Sequence, residues 1–464
     1  MTPRFSPRRC GFVALLASSL LTGCGSDRAT KFPLETLKAP RAGEAERAAA
    51  LAKLTESAKA NAIAAQRVRN DLEQVVRSVD APIESRQLAM QALLDQTGEA
   101  ADAANQQLIA QLLPIERDER MTQTYAAAAQ SRNWTSATPA LIRSLAKQSQ
   151  VPFADRSEMK ALTALSQPRT LEAVLFEQFL SPSTNNATGP AATDFARRVR
   201  IDAWDVLAQL DPTGSKRRDL LAQPVDAKSP GASVIAILRK ADTDLRVLAA
   251  SGAEVSWLLS LKPDGADKSW WQQATAAVAQ VPASERLALR HIEAIRLTHR
   301  QQPARLTRTR EDLLSDLRTR IEPRRKVVRT WKSPIPPYNE QLRATENSLA
   351  WADLITILAI DDALASPALR DALLPQVRAD RNDRSTEYGG VLMTRTIADA
   401  ESIVPILYAP RAGQKRGDMT FIPTDDMIAT SGTALAFYHF HAQDRTNIDI
   451  AGPAESDIAT ANDL

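Results

Sequence analysis

Thiols are almost missing from this chain. Among 464 residues there are two cysteines, Cys10 and Cys24. A disulfide framework is excluded, and so is any cysteine-rich zinc module. Aromatic residues make up 5% and glycines number 16, a poverty that argues against a β-sandwich, a propeller or a collagen-like repeat. Charge of one sign is also lacking: 58 Lys+Arg stand against 55 Asp+Glu, a net charge of +3. A strongly basic nucleic-acid binder would carry a far larger surplus, so no nucleic-acid partner is expected. No apolar run is long enough to span a bilayer as a mature helix. What recurs throughout is Ala, Leu, Arg and Gln, the composition of a helical protein. At this length the chain has to build more than one core.

The first two dozen residues read as an address. Arg4, Arg8 and Arg9 precede an apolar run over residues 12–21, which closes on Leu21-Thr22-Gly23-Cys24. A tetrad of this kind behind a short apolar segment resembles the bacterial lipoprotein signal. The resemblance implies cleavage of residues 1–23 and acylation of Cys24, palmitate being a usual acyl group. The chain would then be held by lipid alone on the periplasmic face of the inner or outer membrane. With Cys10 removed and Cys24 acylated no free thiol would remain, which excludes cysteine catalysis. Residues 24–43 are polar, contain Pro33 and Pro40, and read as a tether.

Residues 44–131 carry only Pro82, Gly98 and Pro114 as breaks. Leu72, Val76 and Val79 keep helical spacing, as do Met90, Leu93 and Leu94, and the pattern predicts two or three long amphipathic helices. No heptad is sustained, so packed hairpins are expected rather than a coiled coil. Residues 132–330 read as shorter helical blocks, at 138–148, 157–165, 170–180, 193–210 and 232–261, the last broken near Gly252. Turn-rich joints at 181–190, 211–214 and 262–265 separate them. Consecutive short helices suggest either a HEAT-like solenoid or an irregular helical array.

The most basic stretch runs over residues 290–329, with His291, Arg296, His299, Arg300, Arg305, Arg308, Arg310, Arg318 and Arg320. Phosphate-bearing partners or an anionic membrane surface would suit it. Glu311, Asp312, Asp316 and Glu322 interleave, however, and favour a solvated helix face. His291 and His299 show no carboxylate partner and read as structural. Residues 331–340 hold three prolines and form the expected domain boundary. Helices follow at 341–365 and 367–377, and strands are expected only after about residue 388.

The texture changes in the last part of residues 341–464. Residues 390–397 and 402–408 are β-rich and separated by a turn at 398–401, which predicts a hairpin. A helix is expected at 424–433, capped by Thr424, then a strand at 434–441, then a helix starting near Pro453. His439 and His441 are two apart on that strand, so both imidazoles face one side. With a carboxylate from a neighbouring helix start, they could supply three ligands of a tetrahedral Zn²⁺ with one open position. Alternatively they are two strand histidines with structural hydrogen bonds.

The order Glu387-Tyr-Gly-Gly-Val-Leu392, hairpin, helix, His439-Phe-His441 and Asp457 resembles the JAMM (MPN/JAB) metalloprotease domain over residues 380–464. The resemblance implies a small α/β domain in which His439, His441 and Asp457 hold zinc and Glu387 is the general base. It implies a peptidase or isopeptidase acting on a protein or peptide partner. The chain departs from the family pattern in three places. Ala442 stands where a Pro is usual. Ala454 stands where the family has the Ser that stabilises the oxyanion, and Ser456 would face elsewhere on a helix. The usual later helix and strands are not seen before Leu464, which implies a shortened domain or another third ligand, Asp444 or Asp449. A different expectation is a non-catalytic scaffold lipoprotein that presents its helical array to a partner in the cell envelope.

Overall fold

The computed structural model describes residues 28–183, 189–324, 342–397, 400–418, 420–430, 433–442 and 457. Cys24, the 331–340 linker, Asp444, Asp449, Ala454 and Ser456 lie outside the described residues. The fold is mostly α, with one small antiparallel sheet near the C-terminal end. Every described strand lies at or beyond Gly389. No described helix is long and apolar enough to cross a membrane. Contacts divide the chain into two compact units, parting between Leu210 and Asp211. That division falls at the 211–214 joint, inside the expected 132–330 array.

The expected tether over 24–43 is corrected in its described part: Pro33–Lys38 is a helix, started by a proline in its first turn, that buries Thr36 and Leu37. In the first unit, residues 44–131 form five helices rather than two or three: Glu44–Ala58, Ala62–Arg77, Ile83–Leu94, Glu99–Leu112 and Glu119–Ser131. The missed break is at Asn61, whose side-chain oxygen accepts the Ala64 amide at 2.9 Å and starts a new helix. Val79 falls two residues past the end of its helix and is exposed, so it belongs to a turn and not to the apolar stripe. Asp118 caps the fifth helix in the same way. Fully buried Val75, Val76, Met90, Leu93, Ile109, Met121 and Tyr125 form the core of this region. A buried polar pair crosses it: Arg69 donates to Asn105 at 2.8 Å, and Asn105 donates to the Leu93 carbonyl at 2.8 Å.

The second unit begins with short helices, Ser215–Ala222, Ala232–Lys240, Gly252–Ser260 and Lys268–Val278. The block predicted over 232–261 is interrupted earlier than Gly252, by a wide turn at Ala241–Leu245 and Arg246 in the left-handed region (φ 57°). Helices Ile292–Gln301, Arg310–Ile321, Trp351–Ala365 and Pro367–Asn382 follow. The predicted helix at 341–365 is broken: Leu342–Thr345 is a single turn, and Trp351–Ala365 restarts where Asp353 accepts the Ala350 amide at 2.9 Å.

The sheet has the order β2-β1-β3, with β1 Gly389–Ile397, β2 Ala400–Leu407 and β3 Ala436–His439. β1 is central and covered on both faces. On one side Leu392 and Leu435 meet Ala294, Leu297, Ala359, Ala363 and Leu369 of the helices. On the other Val391, Met427 and Ala434 pack with Met393, Ile406 and Phe421. Even-numbered residues of β1 therefore look to the helices, and odd-numbered ones to the layer carrying the short helix Asp425–Thr430.

Among the described residues the basic stretch is a partly solvated face whose arginines are paired, not an open anion site. Its arginines are tied into acids of the following helices. Arg305 and Arg320 both bind Asp362 at 2.6 Å, Arg324 binds Asp361 at 2.6 Å, and Arg318 binds Glu346 at 2.7 Å. Arg296 bridges Glu293 and Glu401 of β2 at 2.8 and 2.9 Å. His291 does have a carboxylate partner: its Nε2 lies 2.9 Å from Asp353, which is held down to about 2 by that bond first.

Candidate metal centre

β1 and β3 pair antiparallel with Gly389 opposite His439 and Gly390 opposite Tyr438. Glu387 and His441 lie two residues beyond that pair on the same face as His439. Glu387, His439 and His441 thus offer ligand atoms that all lie within 4.8 Å of one another, the group among the described residues that could hold a metal ion.

The two glycines make this approach possible. A Cβ on Gly389 would lie 2.6 Å from the Phe421 ring and 2.7 Å from the Tyr438 carbonyl oxygen. Phe421 uses the vacated space to stack on His439, with centroids 5.4 Å apart and planes 7° from parallel. On the opposite face a Cβ on Gly390 would lie 2.8 Å from the Tyr438 hydroxyl and would clash with the Ile406 carbonyl oxygen. The Gly-Gly pair is thus a passage for aromatic rings on both faces of one strand.

The imidazoles converge at their tips. His439 Nε2 and His441 Nε2 are 2.8 Å apart, and both approach Asp457 Oδ2, at 3.4 and 3.3 Å. The two imidazole tips are within hydrogen-bond distance of each other, and the three atoms are close enough together that one small ion could touch them all. Glu387, His439 and His441 form the set that could hold one small divalent ion, and Asp457 stands beside the two imidazoles. Glu387, His439, His441 and Asp457 are therefore brought together, whereas Cys24 lies outside the described residues.

Electrostatics separate the roles of these groups. Burial pushes the His439 imidazole down, which Asp457 opposes and His441 reinforces, so it stays neutral near pH 7 as a ligand must. Burial pushes Glu387 up to about 7, with Asp380, Asp457 and Asp418 adding to the rise. A carboxyl poised there can both take and give a proton at neutral pH.

The approach to the site is braced by residues that sequence reading missed. Asp383 accepts from Lys415 at 2.6 Å and from the Tyr388 hydroxyl at 3.1 Å, and these bonds hold its carboxyl far below the usual range. The Glu387 amide donates to Thr420 at 3.2 Å, which lays the segment carrying Asp418 and Phe421 alongside the site. The helix expected to end at 377 continues to Asn382. Its face toward the sheet reads Leu369, Leu373, Gln376 and Asp380, and this spacing of 4, 3 and 4 was the available signal. Comparison with protein-family models, with curated proteins and with solved structures finds no match to this chain.

Proposed function

We propose that this chain is a lipid-anchored bacterial envelope protein whose C-terminal α/β part is a JAMM-like zinc metallopeptidase or isopeptidase. The observation that carries the reading is the convergence of two imidazoles, one carboxylate and a buried glutamate on one strand-end face. His439, His441 and Asp457 would hold the zinc. When bound, it supplies Lewis acidity that lowers the pKa of water in an open position.

The chain's own residues do the rest. Glu387, buried and pushed up to about 7, takes the proton of the attacking water and returns it to the leaving amine. Phe421, flat against His439, covers one face of that imidazole. Ala454 supplies no hydroxyl for a developing oxyanion, and loss of one such donor lowers turnover by about 10²–10³-fold. That substitution favours slow catalysis or metal-dependent binding of a peptide partner. In the scaffold reading the helical array presents the binding surface and the C-terminal part is a degenerate, non-catalytic module, so metal content separates the two.

The test is metal content followed by hydrolysis. The purified chain should hold one zinc equivalent, His439→Ala should hold none, and Glu387→Gln should keep the metal while losing hydrolysis of a lysine-isopeptide-linked peptide. A wild-type chain that takes up no zinc would sink the proposal.

A further inference from the structure

We infer that Asp380 is the positioning residue of this centre: its carboxylate accepts the amide that follows Glu387 and the amide that follows His441, and so sets how those two side chains meet. The inference rests on the metal reading above and adds a residue outside the ligand set.

The geometry is a ladder with its last rung replaced. The β1–β3 pairing ends at Gly389 opposite His439. One step further, the Phe440 amide still donates to the Tyr388 carbonyl at 2.9 Å. The reciprocal Tyr388 amide turns away and donates to Asp380 Oδ1 at 2.6 Å. The Ala442 amide donates to the other oxygen, Oδ2, at 3.1 Å. A single carboxylate thus sits where the two strand ends open, with one oxygen on each chain segment. Strand ends at a surface leave such amides to water. Here Asp380 is 5% exposed, and without it two amides beside the site would lose their acceptor.

The brace comes from a rigid element. Asp380 lies near the end of the Pro367–Asn382 helix, and Gln376, one turn earlier on the same face, accepts from the Tyr438 hydroxyl. The helix therefore grips the His-x-His segment at Tyr438 and Ala442, on either side of both histidines, and grips β1 at Tyr388. The carboxylate acts through the backbone, shaping ligand geometry without serving as a ligand.

The experiment uses the full chain with Zn²⁺ and Co²⁺ as probes. Zinc affinity is measured by chelator competition, and ligand geometry by the visible spectrum of bound cobalt. In Asp380→Ala zinc affinity should fall about 10–100-fold, as for other supports of metal ligands, and the cobalt spectrum should shift away from that of the wild type. Asp380→Asn keeps one acceptor oxygen, should fold where alanine does not, and should fall between the two. Variants that bind zinc with wild-type affinity and give the wild-type cobalt spectrum, even with a lowered Tm, overturn the inference and leave the metal reading standing. A wild-type chain that binds neither ion overturns both.

Discussion

Glu387 combines a requirement of chemistry with a cost to folding. Its carboxyl is raised from an ordinary 4.5 to about 7, by burial first and then by Asp380, Asp457 and Asp418. A value raised in the folded state gives stability that is full below about pH 4.5 and lost as pH climbs through about 7. Metal-free protein should therefore melt at a lower temperature at pH 8 than at pH 5. Glu387→Gln should raise Tm by a few degrees at pH 8 and hardly change it at pH 5, as calorimetry of the apo forms would show. An equal Tm change at both pH values would mean that the carboxylate bears no strain. Residues of this kind were legible where the rule is local. Strand alternation placed His439 and His441 on one face from their spacing alone. Phe421 and Asp353 were not legible, because each arrives through contacts many residues away, and Asp380 showed only as one position of a helix face whose partners were not visible. Asp353 meets His291 across 62 positions, for example, and no pattern in either segment announces the other.

Among the elements, the Arg310–Ile321 and Trp351–Ala365 helices are joined by charge as much as by apolar area. Asp362 sits between Arg305 and Arg320, both at 2.6 Å, and Arg305 is only 5% exposed. Removing the acid strands a buried guanidinium, which typically costs about 3–5 kcal/mol. Asp362→Ala should thus lower unfolding stability in urea by that order. Glu311→Ala, on an exposed carboxylate of the same region, should change it by less than about 0.5 kcal/mol. A small loss for Asp362→Ala would show the pair to be screened by solvent. The sequence showed this stretch as mixed charge and suggested a solvated face. The charge pattern was read correctly, but its partners lie on later helices, where periodicity within one segment cannot reach. The hairpin and the Thr424-capped helix were legible, since turn chemistry and alternation are short-range: Thr424 accepts the Met427 amide at 3.2 Å. The helices of residues 44–131 were merged because Asn61 starts a helix without any Pro or Gly to mark it.

At the scale of the molecule, the expected anchor makes a prediction of its own. Wild-type protein made in a bacterial host should sediment with membranes, resist a high-salt wash and be released by detergent. Cys24→Ser should stay uncleaved or become soluble. Mature protein that begins elsewhere and carries no acyl mass would overturn the anchoring proposal. The division after Leu210 coincides with one of three turn-rich joints visible in the sequence, and nothing in composition ranks that joint above the others. The glycine pair of β1 has a consequence for kinship. Ligands can be exchanged one at a time, and a chain that loses His439 or Asp457 forfeits an ion but keeps a sheet. Gly389 and Gly390 cannot be exchanged so freely, because a side chain on either would collide with backbone carbonyls. Descendants that have abandoned the chemistry should therefore still carry the two glycines, with an aromatic residue opposite. A search for distant cousins is better keyed on that silent pair than on the histidines.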